Sequence, residues 1–404
     1  MTESPLSVDD RDSPVPGVKR PVFVLGVVSF LTDVSSEMVY PLVPLFLTSV
    51  LGAPLAAVGL IEGLAEGAGA MFKTLGGWAS DRLRMRRPLV VAGYALSAAA
   101  KPLLAAASAW PMVMAVRFAD RTGKGIRTAP RDALVADATP PELRGRAFGF
   151  HRSADTLGAV VGPAVALGLL AAFDDNFRLI FLVALAPALA GVALLALVRE
   201  RPPAPPAETP HRSWQGLGPG FYLFLAISLL FALGNSSDAF LLLRAKDLGL
   251  GNSEVVLSYV LFNCVYALGA MPAGVVSDRL GRCGVIAGGF GVFAAVYLGL
   301  ALAGSSTPVW PLFAVYGLHM ALTEGVGRAF VADFVPSDRR ATALGVYQGA
   351  LGAMILVSSV IAGTLWDLVD PAAPFVLGGA TASAALIGML ILRPQAPVSA
   401  ARPG

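Results

Sequence analysis

The sequence predicts an all-α integral membrane protein in which twelve transmembrane helices form two six-helix bundles related by pseudo-twofold symmetry. Three observations support this fold class: the composition, the number of long apolar segments and an internal repeat. Of the 404 residues, 55% are hydrophobic and only 14% are charged, whereas soluble domains have about 25% charged residues. This composition excludes an ordinary soluble enzyme, a disordered chain and a coiled coil. The net charge of +3 is too small to indicate a nucleic-acid partner.

Twelve segments are long and apolar enough to cross the hydrocarbon layer, which requires about 20 residues per helix. Tight loops separate most of them, and glycine and proline are frequent within them, as is typical of membrane helices. The predicted spans are residues 21–46, 55–79, 88–108, 111–136, 145–172, 177–198, 218–243, 254–276, 284–304, 309–333, 342–366 and 373–392.

A longer stretch, rich in proline and polar residues, divides these spans into two sets of six. We interpret it as a stiff cytoplasmic linker, and the short polar termini as tails. The predicted organisation is a tail at 1–20, a bundle at 21–198, the linker at 199–217, a bundle at 218–393 and a tail at 394–404. The two cysteines, Cys264 and Cys283, lie in apolar segments and indicate neither a disulfide framework nor a metal site.

The basic residues predict the orientation. With the N-terminus inside, the arginine-rich connection at 82–87 and the pairs at 144–146 and 339–340 fall on the cytoplasmic side. The opposite loops hold little beyond Arg178, Arg244 and Lys246. Cytoplasmic loops are enriched in lysine and arginine. Both termini are therefore expected in the cytoplasm, with the protein in an inner membrane of bacterial type.

The two halves of the chain share short motifs at a nearly constant offset. Residues 80–83 recur at 277–280, residues 135–137 recur at 331–333, and residues 35–37 correspond to 236–238. These matches, in the same order, indicate duplication of a six-helix unit in parallel orientation. Parallel halves of this kind enclose a central site and rock around it.

The connection after the second span resembles the signature loop of the major facilitator superfamily. It reads Gly-Trp-Ala-Ser-Asp-Arg-Leu-Arg-Met-Arg-Arg over 77–87, and its copy over 274–282 reads Gly-Val-Val-Ser-Asp-Arg-Leu-Gly-Arg. The first copy lacks the later glycine and carries its final basic pair one residue late. The resemblance covers essentially the whole chain and implies a membrane transporter with the twelve-helix fold.

In that superfamily the aspartate and arginines of this loop close the cytoplasmic side, so the resemblance implies a cytoplasmic gate here. Asp81 can face a helix N-terminus, and Arg82 or Arg86 can pair with Asp137. The alternative is that the arginines only set topology. The candidate gate residues are Gly77, Asp81, Arg82, Arg86, Asp137, Gly274, Asp278, Arg279 and Arg282.

Span 4 carries the most charged face of the chain. At 100° per residue, its charged side chains fall within an arc of about 140°. They are Arg117, Asp120, Arg121, Lys124, Arg127, Arg131 and Asp132. Lipid does not accept such a face, which must line a wet cavity or meet other charges. We predict that Arg117, Asp120, Arg121 and Lys124 line the substrate cavity, whereas Arg127 and Arg131 reach the cytoplasmic interface.

Acidic residues of the first two spans are the candidates for proton coupling. Asp33 and Glu37 share a face of span 1, and Glu62 and Glu66 share a face of span 2. Burial favours the neutral form of a carboxyl group, and a nearby arginine favours the ionised form. Alternating access can therefore switch a proton on and off such a group. Glu62 and Glu66 have the alternative interpretation of structural partners of span 4 or residues near the outer mouth.

Other intramembrane charges are weaker candidates for the substrate cavity. They are Asp155, Asp238, Glu324 and Arg328. Glu324 and Arg328 are spaced four residues apart, which is typical of a structural pair on one helix. His319, isolated in an apolar span, is expected to be an interior histidine rather than a proton relay. Most of the buried charge lies in the first half, where we expect energy coupling.

Span 5 resembles the Gly-x-x-x-Gly-Pro element of the drug/proton antiporter branch of the superfamily. Gly158, Gly162 and Pro163 provide it, although Ala166 and Gly168 replace the glycine pair that usually closes it. The alternative is an ordinary small-residue packing face. The resemblance implies an antiporter rather than a symporter.

Together these patterns predict a proton-coupled secondary active transporter, not an enzyme, that exports a small organic molecule by alternating access. The molecule is drug-like or an organic anion, since the basic groups of span 4 suit carboxylate or phosphate. The alternative is a proton symporter that imports an anionic metabolite. We expect no cofactor beyond the proton gradient, no bound metal, membrane lipids around a monomer, and no nucleic-acid partner.

Overall fold

A computed structural model describes residues 18–83, 85–140, 143–198, 217–336 and 339–394. Within these ranges the chain is helical almost throughout. Nearly all of the predicted tails and the predicted linker at 199–217 lies outside the described residues.

The helices of the N-terminal half follow the predicted spans closely. They are α1 (Arg20–Val39), α2 (Leu42–Ser49), α3 (Leu55–Leu83), α4 (Arg86–Ala105), α5 (Trp110–Asp137), α6 (Arg144–Ala172), α7 (Phe177–Val183) and α8 (Leu185–Leu194). A 3₁₀ turn, Leu195–Leu197, continues α8.

The C-terminal half repeats this order. Its helices are α9 (Pro219–Gly234), α10 (Ala239–Asp247), α11 (Asn252–Leu280), α12 (Arg282–Leu302), α13 (Val309–Asp333), α14 (Arg340–Leu368) and α15 (Ala373–Leu392).

Ten helical stretches among the described residues are long and apolar enough to cross a membrane. They account for ten of the twelve predicted spans. The other two predicted spans, residues 111–136 and 309–333, coincide with α5 and α13. Helix α5 carries the charged face described above, which explains why its composition alone does not mark it as a span.

Three predicted spans are interrupted. Residues 40–41 separate α1 from α2, Ala184 separates α7 from α8, and residues 235–238 separate α9 from α10. Pro41 at the first break lacks the backbone N–H that a continuous helix needs. The polar run Asn-Ser-Ser-Asp occupies the third break, and such side chains compete with the helix for backbone hydrogen bonds.

Two predicted loop segments are helical instead. Helix α3 extends to Leu83 and α11 extends to Leu280, so most of each signature motif forms about the last two turns of a long helix rather than a free loop. In the second copy, Gly281 then adopts a positive φ of 90°, a conformation that glycine adopts without the penalty of a Cβ atom.

The described residues form two compact units. The first contains residues up to Phe46 together with those from Ala68 to Val198, and the second contains Leu47–Gly67 together with the residues from Leu217 onward. Within the second unit the first half of α3 packs closely on α14. A Cβ atom on Gly63 would lie 2.9 Å from Cα of Leu356, and Asp367 accepts hydrogen bonds from Leu55 N (3.1 Å) and Ala56 N (2.7 Å).

Glycines set the closest helix contacts of the first unit. A Cβ atom on Gly93 of α4 would lie 2.6 Å from the carbonyl oxygen of Gly123 on α5, and the reverse contact has the same length. Small residues at such crossings let two backbones approach closely. This close approach holds the charged face of α5 against α4.

Candidate functional site

A small polar cavity lies in the first unit between α1, α4 and α5. It is lined by Ser36, Glu37, Val39, Tyr40, Lys101, Leu104, Arg117, Asp120, Arg121, Lys124 and Arg127. The four residues predicted to form the substrate cavity on span 4 are all present, and Glu37 faces them from α1. The charged face of α5 therefore meets a cavity, as the sequence argument requires.

Lys101 of α4 is a cavity residue that the sequence interpretation missed. Its side chain is 3% exposed, and its Nζ donates to Oδ1 of Asp120 at 3.3 Å and to Oγ of Ser36 at 3.5 Å. It lies in an alanine- and leucine-rich span. The signal was nonetheless available, because an ionisable residue inside a span is a functional candidate by default.

Asp120 is the acidic centre of the cavity. Besides Lys101, its carboxylate has Arg117 as a neighbour at 4.0 Å on the same helix. Two cationic side chains from different helices thus converge on one buried carboxylate. Charges removed from water in this way are retained only when they are paired and hydrogen-bonded.

Tyr40 places an aromatic ring beside two guanidinium groups. Cζ of Arg117 lies 5.6 Å from the ring centroid, and Cζ of Arg121 lies 5.5 Å from it. Both distances are within the range of cation–π attraction. Tyr40 follows the last residue of α1, so the break between α1 and α2 delivers this ring to the cavity.

The position of Arg127 corrects the prediction that it reaches the cytoplasmic interface. It is buried, and its Nη1 donates to Oγ of Ser97 at 2.6 Å and to the carbonyl of Gly93 at 3.4 Å. Its guanidinium also lies 4.3 Å from the centroid of the Tyr94 ring. Helical periodicity gave its face correctly, but not the polar partners on α4 that allow an arginine to remain inside.

Arg131 also bonds inward. It donates to Oγ of Ser29 on α1 at 2.9 Å and to Oδ1 of Asp132 at 3.1 Å. Its side chain is 14% exposed, and its position at the cytoplasmic interface stays a prediction. Arg131 therefore connects α5 to α1 one helical turn after Arg127, the last α5 residue in the cavity lining.

Asp33 and Glu37 differ in their relation to the cavity. Glu37 lines it, whereas Asp33, one turn earlier on α1, is not among the lining residues. Asp33 lies within electrostatic reach of Lys124, Asp155 and Glu37. The structure therefore brings two of the four candidates for proton coupling, Asp33 and Glu37, together with the basic face of α5.

The glycines of span 5 pack directly beneath these two acids. A Cβ atom on Gly158 would lie 2.8 Å from Cβ of Asp33, and one on Gly162 would lie 2.8 Å from Cβ of Glu37. It would also lie 2.7 Å from the carbonyl oxygen of Val34. Helix α6 thus presents its small-residue face to the part of α1 that carries both carboxyl groups.

Asp155 lies on the same helix as these glycines and outside the cavity lining. Its Oδ2 is 3.6 Å from Nδ1 of His151, one turn earlier, and both side chains are largely buried. His151 is a second residue that the sequence interpretation missed. The i,i+4 spacing of a histidine and an acid was its available signal.

Glu62 and Glu66 do not line the cavity. Both belong to the segment Leu47–Gly67, which is part of the second unit, and Glu62 is almost completely buried there. The expectation that they face the basic residues of span 4 therefore finds no support in the cavity lining. Their spacing predicts that they share one face of α3, but it does not predict that this part of α3 belongs to the second unit.

The polar candidates of the second unit form separate contacts. Asp238 accepts a hydrogen bond of 2.6 Å from the Tyr316 hydroxyl. Glu324 forms an ion pair with Arg328 at 3.3 Å and accepts a hydrogen bond of 3.0 Å from the Tyr266 hydroxyl. His319 is buried, with Nδ1 2.8 Å from the Gly289 carbonyl, as expected for an interior histidine.

The predicted gate contains the same ion pair in each half. Arg86 pairs with Asp137 in the first unit, and Nη1 of Arg282 lies 2.8 Å from Oδ2 of Asp333 in the second. Each residue of the second pair lies 196 positions after its counterpart. Asp278 is a further neighbour of Arg282 at 3.5 Å.

The remaining gate candidates are partly described. Arg82 and Arg279 are exposed at the ends of their helices, and Arg82 lies 5.4 Å from the Trp78 ring centroid. The side chain of Asp81 lies outside the described residues. Gly77 and Gly274 lie within α3 and α11.

Comparison with known proteins agrees with this architecture. The family profile described as Major Facilitator Superfamily matches residues 25–250 and 223–404. An uncharacterised MFS-type transporter of Methanocaldococcus jannaschii is 36% identical over 382 residues, covering 93% of this chain and 95% of that protein. Multidrug resistance protein MdtH of Edwardsiella ictaluri is 31% identical over 140 residues, or 35% of this chain and 34% of that protein.

Solved structures share the fold at low sequence identity. A POT family transporter in complex with 5-aminolevulinic acid superposes with a TM-score of 0.78 at 14% identity. The alignment covers 94% of this chain and 96% of that one.

Proposed function

The chain belongs to the Major Facilitator Superfamily, and we propose that this multi-pass membrane transporter is a proton-coupled carrier that exports a small organic molecule. The observation that carries the proposal is the cavity of the first unit, where Glu37 meets the basic face of α5. Superfamily membership makes the chain a transporter rather than an enzyme. Proton coupling, direction and substrate are the proposed parts.

Glu37 is the proposed proton carrier because it is the acid of α1 that lines the cavity. In a cavity open to the outside it takes up a proton. After the opposite side opens, the nearby positive charges of α5 favour the ionised form, and the proton leaves. A hydrogen-bond donor or cationic group of the substrate that binds the ionised Glu37 carboxylate competes with its protonation, which couples the two movements in opposite directions.

Asp33 is the second acid of this system. It lies one turn from Glu37, near Lys124 and Asp155. Gly158 and Gly162 seat α1 on α6 at these two positions, so movement of α6 would shift both carboxyl groups relative to α5. This contact supports the antiporter interpretation of the Gly-x-x-x-Gly-Pro element, with Pro163 next to the second contact. The partial similarity to a multidrug resistance protein points the same way.

The pairs Arg86–Asp137 and Arg282–Asp333 are the proposed cytoplasmic gate. Each tightens the connection between two helix ends of its own unit. Their placement at matching positions of the repeat supports a shared mechanical role. We place this gate, both termini and the linker on the cytoplasmic side of an inner membrane, because lysine and arginine concentrate there. The proposed working form is a monomer in lipid.

A specific observation also favours a second candidate, a proton symporter that imports an anionic metabolite. The cavity contains more basic than acidic side chains, which suits an anionic substrate in either direction of transport. The two candidates therefore share the same cavity. They differ in whether substrate and proton exclude each other at Glu37, as in export, or bind together, as in import.

The sign of a pH gradient separates the two candidates. Purified protein in liposomes is screened with labelled organic anions and lipophilic cations under a gradient of either sign. An antiporter accumulates its substrate when the vesicle interior is acidic, whichever way the protein is inserted. A symporter accumulates it when the exterior is acidic. Accumulation that ignores the gradient in both directions would contradict proton coupling.

A further inference from the structure

We infer that the cavity of the first unit binds an anionic group of the substrate, a carboxylate or a phosphate, and that Lys101 is one of the binding residues. This inference rests on the proposed function, because it takes the cavity as part of the transport site. It adds the substrate class and a residue outside the span 4 motif.

Basic side chains outnumber acidic ones in the cavity. Five basic side chains line it, from Lys101, Arg117, Arg121, Lys124 and Arg127. Against them stand the lining residues Glu37 and Asp120, with Asp33 nearby. The positive side remains in excess even when all three acids are ionised. Charges within a membrane bundle are costly and are stabilised by partners or water, and a substrate anion is a favourable further partner for this basic lining.

The second half of the chain shows that the fold itself does not require these charges. Helices α12 and α13 repeat the packing of α4 and α5, and the residues 196 positions later are aromatic: Tyr297 for Lys101, Phe313 for Arg117 and Tyr316 for Asp120. Phe313 and both tyrosines are buried, and the Tyr297 and Tyr316 rings lie 6.5 Å apart. The same pair of helices is therefore stable without buried cations. Their presence in the first unit indicates function.

The arrangement around Asp120 shows how an anion is held. Its carboxylate lies 3.3 Å from Lys101 Nζ and 4.0 Å from Arg117 Nη1. Cations from two helices thus already bind one oxyanion at this place. A substrate carboxylate or phosphate beside it would share the same cations, with Arg121 next to Asp120 in the sequence and Lys124 one turn further along α5.

The chemistry of the basic residues favours an oxyanion. Guanidinium groups match the planar, bidentate geometry of carboxylate and phosphate, and a lysine adds a compact point charge. Tyr40, with Arg117 and Arg121 beside its ring, adds an apolar surface for the adjoining part of the substrate. Arg127 has a different role, because Ser97, Gly93 and Tyr94 engage its guanidinium.

Binding to the purified full-length protein tests this inference without any need for proton coupling. The probes are phenyl phosphate and phthalate, with benzyltrimethylammonium as a cation of similar size, all at constant ionic strength. We expect both oxyanions to raise the melting temperature in a saturable manner and the cation to leave it unchanged. Lys101→Met and Lys124→Met should each weaken the oxyanion affinity at least about tenfold, which corresponds to about 1.4 kcal/mol.

Arg152→Met is the matched control, because Arg152 is an exposed cation on α6 outside the cavity. It should bind the oxyanions as the unchanged protein does. If Lys101→Met fails to fold, the half-exposed Lys124 position still decides the result. Saturable binding of the ammonium probe alone, no binding of any probe, or oxyanion binding that survives both lysine substitutions would overturn the inference. None of these results depends on whether transport responds to a pH gradient.

Discussion

Lys101 on α4 and Asp120 on α5 form an ion pair of 3.3 Å whose side chains are only 3% and 12% exposed. The pair joins the same two helices that approach closely at Gly93 and Gly123. Both residues also line the proposed substrate cavity. The packing of α4 on α5 and the proposed substrate site therefore involve the same two residues.

Removing one partner of this pair should destabilise the protein strongly. Lys101→Met leaves a buried carboxylate with less compensation, and losses of about 3–5 kcal/mol are typical of a broken buried pair. The double variant Lys101→Met with Asp120→Leu removes both charges and should recover a large part of that loss. Melting temperatures in detergent measure the cycle. Additive effects of the two substitutions would show that the pair is not energetically coupled.

The glycines beneath the two acids should tolerate no side chain. In Gly162→Ala the new Cβ would lie 2.7 Å from a backbone oxygen of α1, and overpacking of this kind costs about 1–3 kcal/mol. Gly168→Ala on the same helix is the matched control, since nothing lies within 4 Å of its Cβ position. We expect a lower melting temperature and reduced transport for Gly162→Ala only. If the two variants behave alike, the packing of α6 against α1 does not determine the position of Glu37.

The repeated ion pairs should respond to charge exchange. Asp137→Arg and Arg86→Asp each place like charges together, and we expect the rate of substrate exchange to fall about five- to tenfold for a gating contact. The double variant restores opposite charges and should recover most of the rate. Arg282 and Asp333 provide an independent test of the same design in the other unit. Single reversals that leave exchange unchanged would assign these arginines to topology alone.

Asp367 should contribute to stability by capping α3. Its carboxylate accepts from the first two amides of that helix, which have no acceptor within the helix. Asp367→Ala should cost about 1 kcal/mol, whereas Asp367→Asn keeps an acceptor oxygen and should cost less. The melting temperatures of the two variants give the comparison. Equal losses would show that the negative charge, rather than the hydrogen bonding, is responsible.

Hydrophobicity and helical periodicity predicted most of the fold and part of the candidate site. They predicted the span bounds to within a few residues and the charged face of α5, and the signature-loop resemblance left either Arg82 or Arg86 as the partner of Asp137, of which the structure has Arg86. They missed Lys101 because a single lysine adds no periodic pattern, although its place inside an apolar span was itself a signal. They misplaced Arg127 because its position depends on Ser97 and Tyr94 of α4, and the periodicity of α5 carries no information about a neighbouring helix.

Other differences have the same origin in tertiary contacts. Glu62 and Glu66 share a helical face as predicted, yet they lie in the segment that packs with the second unit. The signature motifs continue their helices to Leu83 and Leu280, because a short polar motif does not by itself end a helix. Sequence spacing shows which residues share a helical face, but tertiary packing determines which helices that face contacts.

The central claim is that Glu37 carries the proton that drives transport. In proteoliposomes, Glu37→Gln should lose accumulation driven by a pH gradient of either sign while retaining exchange of substrate across the membrane at equal pH. A glutamine keeps the size and hydrogen bonding of the side chain but holds no exchangeable acidic proton. Gradient-driven accumulation that persists in Glu37→Gln at the level of the unchanged protein would contradict the account.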